Sequence, residues 1–285
     1  MNKTPILEKP STICTMPDLK ELNGENPEGQ HIVDHGIIQA DNGKWQLWAC
    51  LRGVKVGRLL YGWEGDSLES ENWRHAGIKM RANSEYDENI KENNIEQIGA
   101  PFFIKKDSEY FCFYHSNGIR VAKSADGVNY ERLSPNTTTI PGSRDVMIMK
   151  YNDLYYSYLT TTTKKENGEL ISYVDSATSA DLINWSEPKI VSQGGKGGIG
   201  PIDAESPFVV FIDGYFYLFR TSSITFKTVV YRSEDPQDFG IDDDSKLVTE
   251  LDEKILELFE YEGQWYTTHI SEDFQSVLLS KINWK

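Results

Sequence analysis

Five times along the chain an apolar run, a short polar turn and an aromatic run follow one another. The copies read DHGIIQADNGKWQLWAC from Asp34, APFFIKKDSEYFCFYH from Ala100, DVMIMKYNDLYYSYLT from Asp145, ESPFVVFIDGYFYLFRT from Glu205 and ILELFEYEGQWYTTHI from Ile255. Short apolar runs separated by Gly, Asp or Asn turns predict β-hairpins. Each copy is followed by material for a second hairpin: RLLYGWEGD, IRVAKSADGVNYERL, SYVDSATSADLINWSEP, VVYRSEDPQDFG and SVLLSKINW. The phrases SADG-NYE, SADLINWSE and SEDPQDFG recur after the third strand of a unit and mark a tight turn to an outer strand. Four strands in each of five units, at a period of roughly 50 residues, predict an all-β chain folded as a single five-bladed β-propeller with antiparallel blades.

The propeller is expected over residues 31–285. Residues 1–30, with Pro5, Pro10, Pro17 and Pro27, are expected to be an irregular segment that wraps the outside or closes the ring. Two inserts break the rhythm. Glu71 to Gln97 is charged and polar and reads as a short helix or a surface loop; Ser192 to Ala204, SQGGKGGIGPIDA, is Gly-rich. The second does not match the phosphate-loop pattern GxxxxGK[ST] and opens no helix, so it reads as a flexible loop leading into Glu205 and bordering a site.

Counting back from the first aromatic residue after each turn (Trp45, Tyr110, Tyr155, Tyr215, Trp265), the opening slot of the first strand holds Asp34, Ala100, Asp145, Glu205 and Ile255. In a propeller the first strand of each blade lines the central channel, so Asp34, Asp145 and Glu205 are expected around one funnel. Three carboxylates so placed cannot all ionise freely, and at least one should hold its proton near neutral pH. A base facing a protonated acid is what cleavage of a glycosidic bond requires. A calcium cage, or acids that merely cap turns, would use the same residue types.

Charge and cysteines narrow the partners. The 285 residues carry a formal charge of -15, which argues against a polyanion such as nucleic acid. No apolar run of about 18 residues predicts a membrane span. The first twenty residues lack the apolar core of a secretory signal, so the expectation is a cytoplasmic protein, or an exported one whose leader has been removed. The three cysteines, Cys14, Cys50 and Cys112, form no even framework, and Cys50 and Cys112 read as buried, inert thiols inside aromatic strands.

The blade openings resemble those of the five-bladed propeller glycosidases: family 43, the fructosidase family 32, and the family 117 anhydrogalactosidases. The resemblance spans about residues 30 to 285. It implies Asp34 as general base, Asp145 as the residue that tunes and orients the acid, and Glu205 as general acid. Arg144-Asp145-Val146 is similar to the Arg-Asp-Pro of the fructosidases, with Val146 in place of Pro. Ser206 stands where the fructosidases carry Cys after the acid, and their Asn-Asp-Pro-Asn opening is replaced by Val33-Asp34-His35-Gly36. The resemblance also implies that a His placed like His269 contacts a water or a bound calcium, so calcium is the expected guest if the channel holds a cation.

Around the triad, Arg52, His115 and Arg220 are read as occupying corresponding strand ends in blades one, two and four. There they would bond sugar hydroxyls or a substrate carboxylate, or pack against the next blade. Arg144 should offset part of the acidic cluster. His35, beside the proposed base, is a substrate-contact candidate, and in family 117 a His serves as the proton donor. Trp48 and Trp63 would stack on a sugar or pack between blades. The expected ligand is an oligosaccharide or small glycoside. Three functions are compatible with this pattern: a hydrolase, an inactive sugar-binding propeller, and a propeller phosphorylase using Arg52, Arg144 and Arg220 for phosphate.

Overall fold

The computed structural model of the protein describes residues 3–133, 140 and 144–285. Four sheets of four antiparallel strands follow in chain order. Blade one comprises His31–Gln39, Trp45–Val54, Gly57–Gly65 and Arg74–Met80. Blade two comprises Gly99–Lys106, Glu109–His115, Ile119–Ser124 and the two-residue outer strand Glu131–Arg132. Arg144–Tyr151, Leu154–Lys164, Leu170–Ser179 and Lys189–Ser192 form blade three. Glu205–Ile212, Tyr215–Ser222, Lys227–Ser233 and Leu247–Leu251 form blade four.

The fifth sheet is composite. Lys254–Tyr261, Gln264–Ile270 and Ser276–Trp284 come from the C-terminal end, and the outer position is filled by Pro5–Leu7 and Ser11–Thr15 from the other end of the chain. Residues 1–30 are therefore not irregular throughout: two short strands there pair with the last strand, Pro5 opposite Trp284 and Thr15 opposite Ser276. Pairing removes the open edge that the last strand would otherwise present. The inner strands touch in the order one to five, and the fifth packs back on the first, so the ring is closed.

The insert after blade one is in part as expected, with two short 3-10 helices at Ser84–Tyr86 and Glu92–Asn94, but it also contains strands. Arg74–Met80, inside it, is the outer strand of blade one, and the remainder holds a small ribbon, Asn89–Lys91 paired with Ile95–Gln97. That ribbon is pinned by ionic contacts. Glu88, whose side chain is fully buried, accepts from Tyr114 Oη (2.6 Å), Arg132 Nε (2.8 Å) and the Asn83 amide (2.7 Å).

Aromatic strands fill the spaces between blades. Trp48 and Trp63 are among the largest fully buried side chains, Trp48 edge-on to Phe103 and Tyr130, Trp63 against Tyr61 with its indole N–H on the Thr15 carbonyl. Both are buried in the packing of the blades. The recurring Ser-Ala-Asp phrases are turn devices. Asp126 accepts the amides of Val128 and Asn129, and Asp181 those of Ile183 and Asn184. These bonds to the ionised form hold both carboxyls well below the usual range. Cys14, Cys50 and Cys112 are buried and free, and burial pushes Cys50 up to about 12.

Candidate active site

Every inner strand begins with a bulge, and the bulges set the true register of the repeat. Val33, Gly99, Arg144, Glu205 and Lys254 pair with the second strand just before the bulge. Asp34, Ala100, Asp145, Ser206 and Ile255 are the displaced residues that follow. Ala100, Asp145, Ser206 and Ile255 have positive φ (47°, 53°, 45° and 58°), a conformation strained for residues with a Cβ and most so for β-branched Ile255. Bulges of this kind re-aim side chains near functional sites.

Glu205 therefore does not share a slot with Asp34 and Asp145. Ser206 does, and Glu205 lies one residue earlier, opposite Arg144 of blade three. Counting back from Tyr215 misplaces it because Phe216, not Tyr215, is the counterpart of Tyr155: Tyr215 pairs next to the turn with Ile212, as Leu154 does with Tyr151.

The three acids nevertheless converge. The Ser206 hydroxyl donates to Asp34 Oδ1 (3.0 Å) and its backbone N–H to Asp145 Oδ2 (3.2 Å). Arg144 makes a charge-assisted bond to Glu205 through Nη2, donates to Thr162 Oγ1 (2.8 Å) through Nη1, and approaches Asp145 at 3.8 Å through Nε. The Pro201 carbonyl of the Gly-rich segment accepts from both Arg144 and Thr162, so that segment borders the site.

Electrostatics follow from this crowding. Asp34 is pushed up to about 6, first by burial and then by the charge of Asp145; the Ser206 hydroxyl and the charges of Arg52 and Arg58 pull the other way. Asp145 is pushed up to about 6 by burial and then by Glu205, against Arg144. Glu205 is raised by burial in spite of Arg144. Burial and the neighbouring charges thus raise all three acids, and Asp145 and Glu205 share their proton rather than titrating independently.

Above the acids opens a cavity of about 450 Å³ walled by blades one, four and five, with Asp34 and Glu205 among its lining. Below them the channel narrows past His35, Pro101, Val146 and Glu257. Glu257 is a site residue that sequence reading missed. It sits inside an alternating run, KILELFE, where an acid looks like an ordinary solvent-facing residue. Here the solvent side of the strand is the channel, and burial with the nearby charge of Asp34 raises Glu257 well above the usual carboxylate range.

The remaining candidates divide. Arg52 lines the cavity, and His115 lies opposite Gly99 in blade two, close enough to Arg58 and Arg144 to feel both charges. His35 lines the channel, its Nε2 on Thr268 Oγ1 (2.8 Å) and its Nδ1 without a partner among the described residues. Arg220 is elsewhere. It is fully buried between blade four and the Gly-rich segment, bonded to Ser192, Gly194 and Gly198, and stacked over Tyr231. The three supposed strand ends are also not equivalent: Arg52, His115 and Arg220 pair with Arg58, Ile119 and Val229 at different depths of their strands.

His269 is buried in blade five with Nε2 against Ser280 Oγ (3.1 Å). His35, not His269, lines the narrow channel, and among the described residues no three His, Cys, Asp or Glu side chains are grouped to hold a metal. The residues present do not fit a calcium site at His269. No helix among the described residues is long and apolar enough to cross a membrane.

No protein-family model and no curated protein sequence matches the chain. Solved structures do. A thermostable family 43 glycoside hydrolase matches with a TM-score of 0.65 and 17% identity, over 92% of this chain and 91% of its own. A family 43 β-xylosidase/α-arabinofuranosidase from a compost microbial metagenome, in complex with xylotriose in a calcium-free form, matches with a TM-score of 0.62 and 16% identity, over 97% and 95%. A family 32 β-fructofuranosidase from Bombyx mori matches with a TM-score of 0.64 and 16% identity, over 97% of this chain and 62% of that one. The likeness is one of fold. This chain has the five-bladed propeller seen in glycoside hydrolases of families 43 and 32.

Proposed function

We propose that the protein is a glycoside hydrolase that removes a terminal sugar from an oligosaccharide with inversion, using Glu205 as acid and Asp34 as base. The observation that carries this reading is the cluster itself: two carboxyls lining one cavity, a third bonded beneath them, and all three raised toward neutrality by mutual burial. Structural acids on a surface show the opposite shift, as Asp126 and Asp181 do.

In the reaction Glu205 gives its proton to the glycosidic oxygen as the bond to the anomeric carbon breaks, and the leaving group departs as an alcohol. Asp34 takes a proton from a water that attacks the anomeric carbon from the opposite face. The cycle ends with Glu205 ionised and Asp34 protonated, and solvent exchange restores both. Asp145 and Arg144 set the affinity of Glu205 for its proton, Asp145 by like charge and Arg144 by ion pairing.

A histidine donor is poorly served here. Burial lowers His35 to about 3, and burial with the charges of Arg58 and Arg144 lowers His115 to about 4, so neither carries a proton at neutral pH. The test is a panel of aryl glycosides and oligosaccharides assayed with and without inorganic phosphate, with the product anomer read by NMR. Hydrolysis independent of phosphate and an inverted first product are expected. Absence of turnover across the panel would return the chain to sugar binding, and a strict need for phosphate to phosphorolysis.

A further inference from the structure

Two cations line the funnel without an ion pair among the described residues. Lys254 occupies the pre-bulge slot of blade five, the counterpart of Glu205 and Arg144, and is only 6% exposed. Its ammonium lies over the rings of Phe274 (4.4 Å) and Phe226 (5.3 Å) and donates to the Glu272 carbonyl at 3.3 Å. Among the described residues it makes no ion pair. Arg52, exposed on the facing wall, makes neither an ion pair nor a side-chain hydrogen bond there, although its charge reaches Asp34 and Glu205. Both side chains line the same cavity as those two acids, and Phe226 and Phe274 line it with them.

Burying an ammonium without a direct ion pair is costly: burial lowers the proton affinity of Lys254, against the charges of Glu272 and Asp273 further off. Arg144 already serves the acids, so the triad does not need Lys254. In a protein of net charge -15, two unpaired cations collected in one funnel call for an anion that arrives with the ligand.

We infer that the sugar bound in this funnel carries a carboxylate, which Lys254 and Arg52 receive, so that the substrate is a glycoside of a uronic acid. The ammonium and guanidinium supply charge-assisted bonds to the carboxylate, and the faces of Phe226 and Phe274 pack on the apolar face of the ring. The inference rests on the hydrolase reading for the word substrate, but the binding it describes does not depend on turnover.

Two measurements separate the two ideas. Calorimetry with free glucuronate and galacturonate against glucose and galactose reads the pocket alone. A uronate should bind about tenfold or more tighter than its neutral counterpart, and Arg52→Gln and Lys254→Met should each weaken uronate binding by about tenfold and narrow the preference for the uronate over the neutral sugar. Arg52 is exposed, so its variant keeps the test valid if Lys254→Met fails to fold. Matched aryl uronides and neutral aryl glycosides then read turnover, with the uronide favoured through KM. Uronate binding without hydrolysis of any glycoside supports the inference and sinks the hydrolase reading. Hydrolysis of neutral glycosides in preference to uronides does the reverse. No uronate binding, or binding that both variants retain in full, overturns the inference.

Discussion

Ser206 spans two of the acids: its hydroxyl holds Asp34 at 3.0 Å from blade four, while its backbone N–H holds Asp145 at 3.2 Å. It does so because it occupies the displaced position of the bulge, with φ of 45°, the position that carries an acid in blades one and three. A small donor in that slot aligns Asp34 without adding another charge. The hydroxyl bond favours the ionised form of Asp34.

Removing that bond has a defined sign. Ser206→Ala should raise the Asp34 pKa above its value of about 6, so the acid limb of the pH–rate profile moves to higher pH. Activity near pH 6 should fall about three- to tenfold and recover toward pH 8. A merely structural role would lower rates equally at all pH values, which the full profile distinguishes.

The two lining acids should separate by leaving group. Glu205→Gln should cost about 10²- to 10⁴-fold on a natural oligosaccharide but less than about tenfold on an aryl glycoside with a strongly acidic leaving group, which needs little proton assistance. Asp34→Asn should abolish turnover of both, since each needs an activated water. Equal losses in Glu205→Gln, or surviving activity in Asp34→Asn, would show the roles to be wrongly assigned.

How much of this was legible depended on where the information lies. The hairpins, the five units and the acids Asp34, Asp145 and Glu205 are carried by local patterns of apolar, turn and charged residues. The register of Glu205 was not, because a bulge adds a residue without changing the alternation on either side of it. Arg220 looked like a site residue because a strand end seen in sequence does not say whether it meets the channel or the next blade. Glu257 and Lys254 were not singled out, because a charge in an alternating strand looks like any solvent-facing residue; only ring closure turns that solvent into an enclosed funnel. The first strands of the chain were hidden for the same reason, since Ser11–Thr15 is completed by a partner more than 260 residues away.

Outside the site, the insert after blade one should depend on Glu88. It has no exposed side-chain surface and satisfies Tyr114, Arg132 and the Asn83 amide at once. Glu88→Ala would leave a partly buried guanidinium without its partner, and a loss of about 3–5 kcal/mol is expected. Glu88→Gln keeps the shape and should lose less. Urea unfolding of both variants checks the order, and a Glu88→Ala protein as stable as the parent would show the network to be dispensable.

Asp34 itself should be held at a cost to stability. Its pKa is raised in the folded chain to about 6 from the ordinary 3.8, so the folded state resists its ionisation more than the unfolded state does. A raised folded pKa adds stability that is complete below about 3.8 and lost as pH rises through about 6. Asp34→Asn removes the charge while keeping an acceptor for the Ser206 hydroxyl. The variant should therefore melt higher than the parent at pH 8, by roughly 1–2 kcal/mol and a few degrees, with a gain that shrinks steadily toward pH 4. Calorimetric melting at pH 8, 6 and 4 reads this directly. A gain independent of pH would place its origin in packing, and a loss at pH 8 would mean that the Asp34 charge is compensated in the native funnel.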